Sequence, residues 1–374
     1  MTNSLTNTTE IATTGTNSEI LYADAVLEGG GVRGIAHVGA LVEAEKRGYQ
    51  WVNIAGTSAG AIVASLMAAG YTAKEMYEIM SHVNFKLFAD SDGFSWFFAR
   101  QFFNLTIRGG VHPGKYAEGF VKSYMSARGK KTFGDLIVPG QEHLPKNSPQ
   151  RYRLTVIASD ISTGRMVRLP QDAQICYNID PDDFEIAHAV RMSMSIPFFF
   201  IPVSQKYAGG RICRIVDGGL LSNFPISIFD VHDDEPTRPT FGFHLVDQAP
   251  QANEADPVVF TPTGNVYQIG KALLNTMLTA HDRLYMDDHT YVRTIAIPTN
   301  GISSTNFNLS DEEKLTLYHN GQEAAQNFFK TWDFEAYKLA YRSGKPLPGR
   351  QKQLHENMKT IQRNSKPLSL TRSL

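Results

Sequence analysis

The chain has 374 residues, of which 42% are hydrophobic and 20% are charged, and its formal net charge is −1 at pH 7. This is the composition of a globular protein, which excludes disorder over the whole chain, and the near-neutral charge excludes nucleic-acid binding by overall electrostatics. The two cysteines, Cys176 and Cys213, lie in no metal-ligand spacing, so they predict neither a disulfide framework nor a structural zinc site and are typical of a reducing compartment.

Hydrophobic periodicity predicts short strands alternating with helices, the pattern of a mainly parallel sheet with helices on its faces. The predicted strands are Tyr22–Glu28, Trp51–Ala55, Arg153–Ala158, Met166–Leu169, Arg211–Val216, Thr240–Val246 and Tyr291–Ile297. The predicted helices are Ile35–Arg47, Ala61–Ala69, 72–82, Phe184–Met194, Tyr267–Met286 and Asp311–Tyr341. Thr163 and Gly164 predict a hairpin turn before Met166–Leu169.

The chain is expected to form one domain with tails. Residues 21–300 are expected to be that domain, and residues 301–342 a helical segment packed on it. Residues 1–20 are rich in Thr, Asn and Ser and are expected to be disordered. Residues 343–374 form a basic tail: from Lys338 to Leu374 there are nine basic side chains and one acidic one, Glu356. Such a tail either docks on an anionic lipid surface or is a solvated chain end.

No apolar run is long enough to span a membrane, and the N-terminal residues lack the pattern of a secretory signal. We therefore expect a cytoplasmic protein that associates peripherally with membranes through the basic tail or an aromatic segment. That segment, residues 94–103, is either a lid or interfacial anchor or a core helix, and the pattern favours neither. Its rings are those of Phe94, Trp96, Phe97, Phe98, Phe102 and Phe103.

Residues 56–60 fit the pattern G-x-S-x-G between a predicted strand and a predicted helix. A serine hydroxyl is a weak nucleophile that has to stand clear of its neighbours beside a base, and a sharp turn with small flanking residues achieves this. The helix that follows points free N–H groups at a developing oxyanion. The pattern predicts Ser58 as a nucleophile, in an elbow formed by Gly56, Thr57, Ala59 and Gly60.

A glycine cluster follows the first predicted strand and allows two interpretations. It consists of Gly29, Gly30, Gly31, Val32, Arg33 and Gly34. As a dinucleotide-binding loop it would require an acidic residue at the end of the second strand, where the chain reads Ala55-Gly56-Thr57-Ser58 instead. As an oxyanion loop it would offer backbone N–H groups beside the serine turn. We favour the second interpretation.

The base that would assist Ser58 is not selected by any local pattern. A histidine late in the chain, such as His244 or His281, would complete a triad of the α/β-hydrolase order. Asp217, in the run Asp217-Gly218-Gly219, is the better candidate, because it ends an apolar strand and is expected at the same C-terminal sheet edge as Ser58. Taken alone, it would be interpreted as an ordinary turn residue.

The order EGGGVRG, GTSAG and DGG resembles the patatin-like phospholipases over about residues 22–300. The stretches Met192–Pro202 and Ala158–Gly164 also resemble segments of that family. The resemblance implies a three-layer α/β/α fold, a Ser58–Asp217 dyad without histidine, an oxyanion hole from Gly30, Gly31 and neighbouring N–H groups, and no metal or cofactor. Glu28 stands where the family commonly has Asp.

The resemblance further implies a lipid acyl hydrolase that acts on phospholipids or lysophospholipids. It implies that an activator or self-association opens the site, and it gives no reason to expect a nucleic-acid partner. The run Phe198–Phe200 would line an acyl pocket or fill the core, and we favour the core. A catalytically silent lipid-binding or scaffold protein on the same fold is the alternative, and a nucleotide-dependent oxidoreductase is weakened by the missing acidic residue.

Overall fold

The computed structural model describes residues 20–88, 110–230, 236–247 and 288–341. Its strands are β1 (Leu21–Leu27), β2 (Tyr49–Thr57), β3 (Gly110–His112), β4 (Leu154–Asp160), β5 (Arg165–Leu169), β6 (Phe198–Phe200), β7 (Val203–Lys206), β8 (Ile212–Asp217), β9 (Thr240–Val246) and β10 (Thr294–Pro298). Its helices are α1 (Ile35–Lys46), α2 (Ala59–Ala68), α3 (Ala73–His82), α4 (Lys115–Ala127), α5 (Ala173–Tyr177), α6 (Ile186–Ser193), α7 (Asp288–Tyr291), α8 (Asp311–Phe329) and α9 (Phe334–Tyr341).

The main sheet has a parallel part of five strands. β10, β9, β1, β2 and β4 lie side by side in that order and run in the same direction. Parallel neighbours end at the same edge, so the glycine cluster after β1 and the serine turn after β2 leave the sheet together. The main core lies between strand side chains such as Leu27 and Ile54 and the helices α1, α2 and α6. The predicted α/β fold with a mainly parallel sheet covered by helices is confirmed.

An antiparallel part extends the sheet beyond β4. β5 and β8 both pair antiparallel with β4, and β7 pairs antiparallel with β8, while β3 and β6 form a separate small sheet. β5 occupies one side of β4 along residues 156–160. The opposite side is shared: β2 pairs with residues 154–157 and β8 with residues 158–160. β2 and β8 therefore lie end to end beside β4 and run toward each other.

Helix α8 packs closely on α1 because glycines line the contact. A Cβ on Gly39 would meet the carbonyl oxygen of Tyr318, and a Cβ on Gly321 would meet that of Ala36. Any larger residue at these two positions would separate the helices. Through this contact α8 packs on α1, and both helices contribute side chains to the main core.

Two expectations about the elements are corrected. The predicted helix Asp311–Tyr341 is two helices, because the Asp333 side chain accepts the Ala336 N–H at 2.9 Å and starts a new helix. Tyr291 ends the short helix α7 and is not part of a strand, since β10 begins at Thr294. The helices α4, α5 and α7 and the strands β3, β6 and β7 were not predicted. The predicted helix Tyr267–Met286, the aromatic segment 94–103 and the tails lie outside the described residues.

Candidate active site

Two strand ends bring Ser58 beside Asp217. Thr57, the last residue of β2, pairs with Ile157, and Asp217, the last residue of β8, pairs with Ala158. Ser58 follows Thr57, so it emerges directly opposite the end of β8. Asp217 lies where β2 ends, as expected, but the expected reason was wrong, because it assumed that the strand before Asp217 ends at the same sheet edge as β2. β8 runs antiparallel to β4, and the two residues meet because β2 and β8 run head-on.

Ser58 lies in a strained turn between β2 and α2. Its φ of 54° and ψ of −126° are unusual for a residue other than glycine, and such strain is typical of functional sites. Gly56 and Gly60 make the turn sterically feasible. A Cβ on Gly56 would meet the Gly60 carbonyl oxygen, and a Cβ on Gly60 would meet that of Leu27. The tight approach explains why the pattern needs glycine two residues before and two after the serine.

Ser58 and Asp217 form a direct hydrogen bond. The Ser58 Oγ–H donates to Asp217 Oδ2 at 2.6 Å, and the Gly219 N–H donates to Asp217 Oδ1 at 2.8 Å. Burial raises the pKa of Asp217 to about 7, although the hydrogen bonds from Ser58 and Gly219 oppose the shift. A carboxylate with this proton affinity can accept a proton from a neighbouring hydroxyl near neutral pH.

The end of α6 holds both members of this pair. The Ser58 backbone N–H donates to Ser193 Oγ at 2.8 Å, and the Asp217 backbone N–H donates to the Ser195 carbonyl oxygen at 2.9 Å. Arg191 fixes this turn in place, because its guanidinium donates to Ser195 Oγ at 2.5 Å and to the Ile201 carbonyl oxygen at 2.9 Å. Sequence reasoning missed Ser193, although the stretch Met192–Pro202 was one of the segments that resembled the family.

The glycine loop keeps two N–H groups available. The Gly29 N–H donates to the Asn223 carbonyl oxygen at 3.2 Å, and the Val32 N–H donates to that of Ser304 at 3.0 Å. The Arg33 N–H donates back to Gly30 at 3.2 Å. In the described part of the chain no acceptor is found for the N–H groups of Gly30 and Gly31. Of the six residues predicted for an oxyanion hole, these two therefore fit that role best.

The glycine loop lies against the serine turn. A Cβ built on Gly29 would be 3.1 Å from the Ser58 Cβ and would collide with Asn223 Oδ1. A Cβ built on Gly34 would be 3.5 Å from the Ala59 Cβ. Arg33 turns its side chain back onto the loop, where its Nε–H donates to the Gly30 carbonyl oxygen at 3.2 Å. The side chain of Arg33 thus braces the loop.

A buried carboxylate anchors the start of the loop. Glu28 Oε2 accepts the Leu245 N–H at 2.5 Å and pairs with His244 Nδ1 at 2.8 Å, while Asn223 Nδ2–H donates to Glu28 Oε1 at 3.0 Å. Burial alone would raise the pKa of Glu28, but His244, the Leu245 N–H and Arg33 outweigh it and hold the pKa below its ordinary value.

The histidines proposed as alternative bases have different outcomes. His244 pairs with Glu28, and among the described residues Ser58 Oγ contacts Asp217 and no histidine. His281 lies outside the described residues. His37 is fully buried with Nε2 2.9 Å from the Glu28 carbonyl oxygen, and burial lowers its pKa to about 4. His37 is therefore neutral at pH 7 and supports the loop as a hydrogen-bond donor.

The three phenylalanines after α6 have different environments. Phe200 is 2% exposed and belongs to the core, as favoured from the sequence. Phe199 stacks on Phe307 with ring centroids 4.7 Å apart. Phe198 is 57% exposed at a φ of 67°, so the core interpretation is wrong for this residue. A cavity of about 510 Å³ between α3 and α4 does not include Ser58 or Asp217.

The described residues contain neither a helix suited to a transmembrane span nor a cluster of metal ligands. No group of three or more His, Cys, Asp or Glu side chains in that part of the chain is arranged to hold a metal ion. Cys176 and Cys213 are both buried free thiols.

The chain is similar to one family model and to several known proteins. The family model described as patatin-like phospholipase matches residues 25–230. YqhO, an uncharacterized protein of Bacillus subtilis, is 36% identical over 315 residues, which is 84% of this chain and 100% of that protein. Rv2565, an uncharacterized NTE family protein of Mycobacterium tuberculosis, is 27% identical over 69% of this chain, but the match spans 35% of its own length. The crystal structure of VipD from Legionella pneumophila shares 17% identity at a TM-score of 0.49, covering 91% of this chain and 74% of that one.

Proposed function

The chain belongs to the patatin-like phospholipase family, and on that premise we propose that it is a lipid acyl hydrolase with a Ser58–Asp217 dyad. We assign the catalytic domain to residues 21–300 and the substrate to the acyl esters of phospholipids or lysophospholipids. The observation that carries the proposal is the 2.6 Å hydrogen bond between the hydroxyl of a strained turn serine and a buried carboxylate.

Acylation begins with attack of Ser58 Oγ on the ester carbonyl carbon. Asp217 accepts the Ser58 proton as the new C–O bond forms, and its pKa of about 7 suits this transfer at neutral pH. The tetrahedral intermediate then collapses, and the alcohol or lysolipid leaves with the proton that Asp217 returns. The Gly219 N–H keeps the second carboxylate oxygen in place throughout.

The negative charge of the intermediate is stabilised by the glycine loop. The N–H groups of Gly30 and Gly31 are the donors available for the oxyanion, and the free N–H groups at the start of α2 add a favourable dipole. A donor of this kind contributes about 3–4 kcal/mol to transition-state stabilisation in comparable sites. The Ser58 N–H is not among these donors, because it is bonded to Ser193.

Deacylation repeats the chemistry with water in place of Ser58. Asp217 accepts a proton from the water as it attacks the acyl-enzyme, and the same N–H groups stabilise the second oxyanion. The fatty acid leaves and Ser58 regains its proton from Asp217. These steps use only groups of this chain and water, so the proposal includes no cofactor.

Access to the dyad is restricted in this structure. Ser58 is 6% exposed and Asp217 is 2% exposed, so little of either residue is open to solvent. We therefore assign a gating step to an activator or to self-association. We further propose that the protein is cytoplasmic and meets its substrate by peripheral membrane association, with the basic tail 343–374 or the aromatic segment 94–103 contributing.

A fluorophosphonate ester tests for the nucleophile without assuming any lipid. The intact mass of wild type is expected to gain one adduct, which is absent in Ser58→Ala and forms more slowly in Asp217→Ala. An adduct that survives Asp217→Ala and requires a histidine would contradict the dyad. The absence of an adduct on folded wild type, with and without anionic vesicles, would mean either that the site stays closed until an activator opens it or that the protein is a silent lipid-binding or scaffold protein.

A further inference from the structure

The antiparallel part of the sheet carries one exposed face beyond the Ser58–Asp217 pair. Residues opposite each other in antiparallel strands project from the same face, and residues two apart in a strand do so as well. By this rule Met166 shares a face with Ser159, its partner in β4. Ile161 follows the last residue of β4, and its N–H donates to the Arg214 carbonyl oxygen at 3.1 Å, so the pairing with β8 continues for one more residue and Ile161 is placed on the same face. Arg214 shares the face with Ile212, which pairs with Lys206. We call these five residues the strand patch: Ile161, Met166, Lys206, Ile212 and Arg214.

The strand patch exposes more apolar side chain than an outer sheet face requires. Ile161 is 50% exposed, Ile212 is 58% exposed and Met166 is 40% exposed. The opposite face of the same strands is fully packed, as Cys213 and Val167 at 3% and 1% exposure show. The alternation that normally leaves polar residues outside has here placed large apolar residues among the outer positions. Apolar side chains grouped in this way indicate a contact surface.

The charge of the strand patch has one sign. In the described ranges, neither Lys206 nor Arg214 forms an ion pair, and the same holds for the flanking Arg165 and Arg211. Arg168, close by on β5, is by contrast paired with an aspartate at 2.7 Å. The patch therefore combines exposed isoleucine and methionine with cations that lack acidic partners. Basic residues on an edge strand can also prevent that strand from pairing with another chain, but this role does not explain the exposed apolar residues.

We propose that the strand patch docks the protein on an anionic lipid surface. The isoleucines and Met166 would enter the headgroup region while Lys206 and Arg214 meet anionic headgroups, the combination that interfacial binding needs. The inference rests on the proposed function, because β8 connects the strand patch to the Ser58–Asp217 pair: the patch projects from the outer face of the strand, and Asp217 ends the same strand on the packed face. Ile161, the residue after β4, is three positions beyond Ala158, the partner of Asp217, which corresponds to about 10 Å of extended chain.

Flotation of the full chain with lipid vesicles tests the proposal. The Ser58→Ala variant serves as the parent, since it leaves the vesicles intact, and the vesicles are phosphatidylcholine with or without phosphatidylglycerol. Ile161→Ser/Ile212→Ser and Lys206→Gln/Arg214→Gln are each expected to bind mixed vesicles about tenfold more weakly than the parent. The matched control is Leu315→Ser/Leu339→Ser, whose side chains on α8 and α9 are 43% and 66% exposed, and it is expected to bind like the parent.

Two results would overturn the proposal. Patch variants that bind mixed vesicles as tightly as the control would show that the patch does not contact lipid. If the Ser58→Ala parent binds no vesicles, the patch does not dock on lipid, and an acidic protein would be its partner instead. Failure of the proposed function looks different: vesicle binding would depend on the patch, but wild type would gain no fluorophosphonate adduct. With Ser58 intact, the patch variants are expected to hydrolyse a soluble short-chain ester like wild type and vesicle lipid more slowly.

Discussion

Thr57 and Asp217 are the last residues of two strands that run head-on along one side of β4, facing its consecutive residues Ile157 and Ala158. Backbone pairing thus fixes the distance between the serine turn and the carboxylate. Gly218 completes the arrangement, since a Cβ there would meet the Ile157 carbonyl oxygen and would lie 3.0 Å from Thr57 Cγ2. Because Gly218 has no side chain, the chain can turn away directly after Asp217.

The first prediction concerns the pH dependence of the proposed base. Because burial raises the pKa of Asp217 to about 7, the rate of fluorophosphonate labelling is expected to rise with pH through that value and then level off. Asp217→Asn is expected to label at least about a hundredfold more slowly, without this rise. A wild-type profile that is flat between pH 5 and pH 8, measured on protein that stays folded, would contradict the assignment of Asp217 as the base.

The same group makes a prediction for stability, and its sign is opposite to that of activity. A raised pKa means that the folded state holds the proton more tightly than the unfolded state, whose value is near 3.8. The stabilisation is complete below the unfolded pKa and is lost as the pH rises to about 7. The melting temperature of Asp217→Asn relative to wild type is therefore expected to increase from pH 5 to pH 8. A constant difference across this range would show that the carboxyl group does not titrate there.

Local chemistry explains which parts of the site could be predicted from the sequence. The strand–turn–helix around Ser58 is specified by neighbours along the chain, so Gly56 and Gly60 identify it without knowledge of the fold. The N–H groups offered by the glycine loop are predictable for the same reason. The direction of β8 was not predictable, because a strand of six residues carries the same pattern in a parallel and an antiparallel pair.

Long-range contacts account for what was missed. Ser193 lies 135 positions after the N–H that it accepts, and Asn223 lies 194 positions after Gly29, so no local spacing indicates either contact. Both residues bind backbone or buried groups, which hydrophobic periodicity does not register. The break before Asp333 was equally hidden, since the apolar pattern continues across it and a single side-chain cap restarts the helix.

Ser193 is predicted to position the nucleophile. Ser193→Ala leaves the Ser58 N–H without its acceptor inside the protein, which costs about 1–3 kcal/mol and loosens the strained turn. Fluorophosphonate labelling is expected to slow about tenfold, with an unchanged pH profile, because Asp217 is not altered. Ser65→Ala is the matched control: Ser65 is equally buried and bonds the Ile62 carbonyl oxygen at 2.7 Å, away from the dyad. Equal labelling rates in the two variants at similar melting temperatures would leave Ser193 with a structural role only.

The glycine loop is predicted to respond differently at two adjacent positions. A Cβ on Gly30 would meet only the end of the Leu245 side chain, whereas a Cβ on Gly31, at a φ of 57°, would meet the Ser304 backbone. Gly31→Ala is therefore expected to lower the melting temperature more than Gly30→Ala. Leu245→Ala removes the obstacle for Gly30 alone, so the Gly30→Ala/Leu245→Ala variant should label faster than Gly30→Ala. No recovery in the double variant would mean that the loop is displaced for another reason.

Glu28 is predicted to link the stability of the glycine loop to pH. Its pKa is lowered in the folded state, so the ionised carboxylate contributes stability above the unfolded value of about 4.5, and this contribution is lost as the pH falls through the folded value. Glu28→Gln keeps the size of the side chain but removes the charge that pairs with His244 at 2.8 Å. The variant is expected to lose about 3 kcal/mol of unfolding free energy at pH 7, as for other broken buried pairs. Its loss of unfolding free energy relative to wild type should be smaller when denaturation is measured at pH 4 and below.

Glu75→Gln is the control for Glu28→Gln, because Glu75 forms an exposed pair with Arg128 and the loss there is expected to be below about 1 kcal/mol. Glu28 precedes the proposed oxyanion donors, so fluorophosphonate labelling of Glu28→Gln at pH 7 is also expected to be slower than that of the control. Equal labelling rates would show that Glu28 stabilises the loop without affecting the reaction of Ser58.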